Sequence, residues 1–376
     1  MKEKSPTMIT RLKKLTKYSL LILGILSGYL PAHAQALDEI PQNPGSNLSE
    51  TSIFTSLSYA ELLEITIETD LTELLENRYR DEYQMARLTH VNAGEEEVAY
   101  DIKIRPRGKF RRRVCDFPPV KMKCPKRELL QQGYSEHNDL KLVTHCLDEK
   151  FEGNENVLKE YLAYKIFNEI SAKSFRVQLL KITYKDTSKK YGKIKRYGFL
   201  IEDEDEMAER LNGEICECMN QSAEELALKD ENLMAIFQYM IGNSDWSTMM
   251  ARNLKMVQTP EGKVIPVPYD FDFAGLVDAD YALPNADYGL VSVKDRAFLG
   301  EIVDQKVLGK NLFHFKQKRQ AIKKLVQSFK YLSIDSRSEI NAYLDSFYEN
   351  MEELSLLNGT EETTPADVAP AGGNIR

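Results

Sequence analysis

The spacing of hydrophobic residues changes character once along this chain, near residue 204. Before that point, seven short runs have the length of strands, and several alternate with a period of two. They are LLEITIE (62–68), YQMARLTHV (83–91), VAYDIKIR (98–105), PPVKMK (118–123), DLKLVTH (139–145), FRVQLLKITY (175–184) and YGFLIE (197–202). One helical pattern interrupts them: Asn156 is the expected N-cap, and Leu158, Leu162, Ile166 and Ile170 form a stripe at a spacing of four. Beyond 204 the period is helical. Ser222 and Glu225 read as a capping box, Leu233, Ile236, Phe237, Met240 and Ile241 carry the period onward, and two more helices are predicted over 312–330 and 336–355.

Within the helical half lies one β-like interruption. The apolar run 254–257 follows Asn253, Thr259-Pro260-Glu261-Gly262 supplies turn chemistry, and the run 264–268 leads to Asp270-Phe271-Asp272. A hairpin closed at that turn pairs Gln258 with Lys263 and sets Asn253 opposite Pro268, so Asn253 and Asp270 come within reach of one ligand. A carboxamide with carboxylates is a hard oxygen set suited to Mg²⁺ or Mn²⁺. Asp245, in the polar loop before the hairpin, is left for another role. Polar residues that end strands are also ordinary loop residues, and spacing alone does not decide between the two.

Charge narrows the partners little. The net charge is −8, which gives no global basic character for nucleic acid, while the runs 105–114 and 181–196 are basic and 201–209 is acidic. Glu160 shares a helix face with Ala163, Tyr164 and Phe167, where an unpaired carboxylate is costly; a surface Glu favoured by the helix dipole is the alternative. Arg107-Gly108-Lys109 closes a strand at a glycine, where cations and backbone can approach phosphates; a basic turn without ligand is the alternative.

The first 34 residues read as a targeting segment. Arg11, Lys13, Lys14 and Lys17 precede the apolar SLLILGILSGYL, and Ala32-His33-Ala34 is a small-x-small cleavage site. The expected product is an exported protein, periplasmic or extracellular, that starts near Gln35 and has no transmembrane span in its mature chain. Residues 35–58 read as a flexible leader and 358–376 as a disordered tail. All five cysteines, 115, 124, 146, 216 and 218, follow the cleavage site, and in an oxidising compartment an odd count leaves at least one unpaired. If the strands ending near 105 and 145 are sheet neighbours, Cys115 and Cys146 pair. Cys124 is the rival partner, and Cys216 and Cys218 read as too close in sequence to pair with each other.

Five stretches, RPRGKFRRR (105–113), DLKLVTHC (139–146), VLKEYLAYKIFNEI (157–170), YGFLIEDEDEMAER (197–210) and NSDW through PVPYDFDF (243–273), resemble, in family order, the CotH-type (spore-coat protein H) atypical kinases and their secreted bacterial relatives. The resemblance implies an α+β, two-lobed protein-kinase-like fold, with a β-rich N-terminal lobe over 59–203 and a mainly helical C-terminal lobe over 204–357. It implies transfer of the γ-phosphoryl of ATP or another nucleotide to a protein or glycan hydroxyl, with Mg²⁺ or Mn²⁺, by a monomer. Asp245 would orient or deprotonate the acceptor, and Asn253 and Asp270, with Asp272 as second candidate, would hold the metal. Lys141 braced by Glu160 and the Arg107/Lys109 loop would contact phosphates, and backbone groups at Glu202 and Asp203 would face the base. Segment 274–300 is expected to cover the cleft.

Three features depart from the pattern. Asp245 is followed by Trp246 and Ser247, eight positions separate it from Asn253, and no GxGxxG precedes Lys141. They keep open a catalytically inactive, pseudokinase-like envelope or surface interaction module. Hydrolysis of glycans by paired carboxylates is a third reading, disfavoured because the clustered acids are too close to flank a sugar.

Overall fold

The computed structural model describes residues 51–302 and 304–356. The targeting segment, most of the leader and the tail lie outside the described residues. The leader's last residues are described: Ile53–Leu57 is a helix (α1) capped by the Ser52 hydroxyl, and it buries Ile53, Phe54 and Leu57, so order begins before residue 58.

The predicted strands close on themselves. β1 (Leu63–Thr69), the short helix α2 (Leu71–Glu76), β2 (Gln84–Val91) and β3 (Glu97–Pro106) are followed by the single-turn α3 (Arg111–Val114) and β4 (Val120–Lys123). After α4 (Lys126–Gln131) and β5 (Asp139–Val143), the long helix α5 (Lys150–Ile170) leads to β6 (Val177–Asp186) and β7 (Lys193–Ile201). The seven strands form a closed barrel in the order β1-β2-β3-β4-β5-β7-β6. Every neighbouring pair is antiparallel except the closing one, where β1 runs parallel to β6 from Leu63↔Leu180 to Thr69↔Asp186. Alternate residues point inward, and Ile65, Ile67, Leu88, Ile102, Ile104, Met122, Leu142, Ile182 and Leu200 fill the interior.

This closure overturns the expected two-lobed kinase-like fold, because a closed barrel is a different architecture from a lobe with an open sheet. The deciding contact joins strands more than a hundred residues apart in parallel, and no turn signal announces such a pairing.

The elements from α5 onward pack on the outside of the barrel at β6 and β7, whose segments 177–180 and 198–201 are buried on both faces. Leu179, Phe199 and Ile201 point outward into a second core shared with α5, α6 (Glu204–Arg210) and α7 (Leu228–Ile241). A three-stranded sheet, ordered β10-β9-β8, joins that core with β8 (Glu214–Cys216), β9 (Leu254–Gln258) and β10 (Val264–Pro268). The helices α8 (Gln305–Ser328) and α9 (Ile334–Asn350) complete it. No helix among the described residues is long and apolar enough to cross a membrane.

Local differences from the sequence reading have local causes. Helix α5 starts at Lys150, capped by the Glu149 side chain, seven residues before the expected start; the polar stretch FEGNEN masks it, and Gly153 is required there because a Cβ would lie 2.4 Å from the Leu147 carbonyl. Ser222 and Glu225 do bond each other, but α7 begins only at Leu228, so the pair closes a turn ahead of the helix.

Candidate functional site

The β9–β10 hairpin is the frame of the site. Its register is Val264↔Gln258 through Pro268↔Leu254, one residue away from the expected pairing, so Asn253 lies opposite Tyr269 and its carbonyl accepts the Tyr269 N–H at 3.1 Å. Both ends then leave the ladder in the left-handed region, with φ of 53° at Asn253 and 64° at Asp270. Asn and Asp tolerate that region better than most residues, and such conformations gather at functional sites. The Asp270 N–H donates to the Tyr164 hydroxyl of α5 at 2.8 Å, which fixes the turn against the helix.

Asp245 is reached from the other side. Helix α7 ends at Gly242 in the left-handed conformation, and the Asn243 carboxamide, itself held by Gln238, accepts the Asp245 N–H at 3.0 Å. The Asn253 amide then donates to the Asp245 carbonyl at 2.6 Å and to its carboxylate at 2.9 Å. Burial pushes the Asp245 carboxyl above its usual range, with Arg252, 3.4 Å away, and Asn253 opposing. With its amide committed to Asp245, the Asn253 side chain turns its oxygen away as an acceptor.

Asp245, Asn253, Asp270 and Asp272 line one cleft of about 160 Å³, together with Arg107, Gly108 and Lys109. A larger, open hollow of about 510 Å³ beside His137 and Asp203 contains none of these converging oxygens. The donor set in the small cleft, carboxylates plus one carboxamide, fits Mg²⁺ or Mn²⁺ in kind. Among the described residues no group of three or more His, Cys, Asp or Glu is arranged to hold a metal ion.

Arg111 engages Asp270 and Asp272. Its Nη2 donates to Asp270 at 2.9 Å and to Glu160 at 3.0 Å, and its Nε donates to Asp272 at 2.7 Å. The guanidinium is buried, and Asp272 and Glu160 outweigh that burial to hold its pKa well above the usual value. Burial in turn raises Glu160, and burial together with Asp272 raises Asp270; Arg111 opposes both shifts. Phe110, Phe273 and Tyr281 form an aromatic cluster at the rim, Tyr281 coming from the 274–300 segment.

Three expected roles are therefore corrected. Lys141 does not pair with Glu160: it donates to Glu204 at 2.5 Å, shares that carboxylate with Lys255, and is not among the cleft-lining residues. Against burial, the two lysines hold Glu204 down at about 2. Glu202 is fully buried, its carboxylate is held by Arg176 and Arg210, and its N–H is spent on the Arg176 carbonyl, so neither its side chain nor its N–H is left for a base. Asp203 caps α6 through the Asp205 N–H, and its carbonyl takes the Met207 N–H.

Sequence reading missed Arg111 and Tyr164. The arginine run 111–113 offered three equivalent candidates, and only the helical turn after Phe110 selects the one that faces inward. Tyr164 was legible as lying one turn beyond Glu160, but its partner is a backbone amide, which leaves no trace in sequence. The cysteines pair as Cys115–Cys146 and Cys216–Cys218, and Cys124 is a buried thiol. The second pair corrects the expectation that those two are too close; the bond lies where β8 ends. No family model matches the chain, and no curated protein matches it.

Proposed function

We propose that the chain is an exported phosphotransferase, moving the γ-phosphoryl of a nucleotide to a protein or glycan hydroxyl. The observation that supports this reading is the convergence of Asp245, Asn253, Asp270 and Asp272 on one cleft that Arg107 and Lys109 also line. Phosphoryl transfer needs little covalent chemistry from a protein; it needs a positioned acceptor and compensation of phosphate charge. Asp245, raised by burial and held by Asn253, accepts the acceptor hydroxyl's proton. Arg107 and Lys109 bind phosphate oxygens, and the Gly108 backbone, at φ 80° with no side chain, lets phosphate approach the loop. Asn253 and the exposed side of Asp270 would hold Mg²⁺ or Mn²⁺, which supplies charge neutralisation for the transferring group, while Asp272 is taken by Arg111.

The test is incubation of the purified protein with labelled ATP and Mg²⁺ or Mn²⁺. Asp270→Ala is expected to abolish metal-dependent nucleotide binding, while Asp245→Ala keeps binding and loses transfer; equal loss of both functions in both folded variants would contradict this division of roles. A second reading, a non-catalytic envelope or surface module, is favoured by the engagement of both Asp270 and Asp272 by Arg111. Nucleotide binding without transfer would support it.

A further inference from the structure

Phe110 directly follows the Arg107-Gly108-Lys109 loop and lines the same cleft. The Arg107 Nε is buried without a hydrogen-bond partner among the described residues, Gly108 has nothing within 4 Å of the place a Cβ would take, and Lys109 is exposed. Arginine, lysine and an open glycine backbone suit phosphate oxygens, so this loop is where the cleft can take an anion. At about 160 Å³ the cleft is smaller than the roughly 300–1,000 Å³ of sites that enclose a whole small molecule. A ligand that places its phosphates there must rest its remainder on the rim.

That rim is aromatic. Phe110 is 38% exposed, the Phe273 ring meets it edge-on at 5.3 Å, and Tyr281 lies 6.2 Å from Phe110 and 6.0 Å from Phe273. Tyr281 carries the trio's one polar atom, and its hydroxyl donates to Asp272, so the rings present faces and no free donor or acceptor. Such a surface binds a flat ring by stacking without reading its edge. We propose that the exposed face of Phe110 stacks the base of a nucleotide whose phosphates lie on Arg107 and Lys109, and that this stacking takes purine and pyrimidine bases alike. The inference rests on the phosphotransferase reading and supplies the base site that Glu202 and Asp203 do not make. It casts Phe110 as the residue that distinguishes a nucleotide from inorganic polyphosphate.

The experiment measures Kd by isothermal titration calorimetry for ATP, GTP, UTP and inorganic tripolyphosphate, each with excess Mg²⁺, on the purified wild type and Phe110→Ala. The three nucleotides are expected to bind the wild type within about tenfold of one another and more tightly than tripolyphosphate, and Phe110→Ala is expected to weaken all three by about 5- to 150-fold while leaving tripolyphosphate unchanged. Equal weakening of nucleotides and tripolyphosphate, or weakening of neither, overturns the inference and leaves the proposed function standing, because the wild type still binds nucleotide. A wider spread among the three bases overturns it as well, as does tripolyphosphate binding as tightly as ATP. A wild type that binds no nucleotide overturns the inference and the proposed function together. Phe110→Trp keeps a ring at this place should the alanine variant fail to fold. Its added indole fluorescence, read against the wild type's single Trp246, is expected to be quenched by ATP and not by tripolyphosphate. Unquenched fluorescence at saturating ATP would overturn the base position.

Discussion

Replacing Cys115 and Cys146 by alanine tests whether the segment bearing Arg111 is secured by a covalent tie. The bond closes a loop with a sequence separation of 31, and both cysteines are buried. In the chain-entropy description a loop of that length costs the unfolded state about 12 cal/mol/K, or about 3.7 kcal/mol at 25 °C. With a urea dependence of about 3 kcal/mol/M for a domain this large, the midpoint falls by roughly 1.2 M. Far-UV circular dichroism in urea, for oxidised wild type and the double variant, reads that shift. The Cys115 N–H also ends α3 by donating to the Arg111 carbonyl, so loss of the bond loosens the helix locally. Trypsin should then cut faster at the exposed Arg113. A midpoint change below about 0.3 M with unaltered cleavage would refute the reasoning, since it would mean that packing alone fixes α3.

Gly242→Ala and Gly262→Ala both place a Cβ at positive φ, but at Gly242 it would lie 2.0 Å from the Tyr343 hydroxyl, whereas at Gly262 nothing lies within 4 Å. The first is expected to cost about 2–4 kcal/mol and the second about 1 kcal/mol in urea unfolding; equal losses would contradict the clash. Glu202→Gln, which removes the buried charge between the partly exposed Arg176 and Arg210, is expected to cost about 1–3 kcal/mol, and a melting temperature unchanged by the substitution would count against a stabilising ion pair there. Burial, aided by Arg196, lowers the His145 pKa to about 3, so the folded protein keeps this ring neutral while the unfolded chain takes up a proton below about 6.5. Stability present above that pH is lost as pH falls toward 3, by about 1.4 kcal/mol per unit; in His145→Gln this component should vanish, and parallel pH curves for the two proteins would exclude it.

Much of this structure was legible because its signals are local. The seven strand-like runs are the seven barrel strands, and the hairpin turn at 259–262 follows from its Pro and Gly. The register slipped by one because turn chemistry fixes where a hairpin reverses but not which residue closes the ladder. Closure of the barrel was hidden, since β1 and β6 meet in parallel at long range and each run reads equally well in an open sheet. In the site, Asp245, Asn253, Asp270 and Asp272 could be found from strand ends and residue chemistry. The partner of Glu160 could not, because two cations on different elements, Lys141 and Arg111, could each satisfy a buried carboxylate. Three-dimensional packing gave that place to Arg111 and sent Lys141 to Glu204.

The parallel seam between β1 and β6 also sets an order of events. A ribosome delivers the chain N-terminus first, and Leu63 must wait for Leu180, 117 residues later, before the barrel can shut. At about 5–20 residues per second that interval is roughly 6–23 s, during which β1 to β5 can form only an open sheet with two unpaired edges. Exposed edges invite pairing with other chains. Until β6 and β7 arrive, the nascent protein is therefore more prone to aggregate than its finished form, and a chaperone that holds the chain extended past residue 201 would serve it better than one that promotes early collapse.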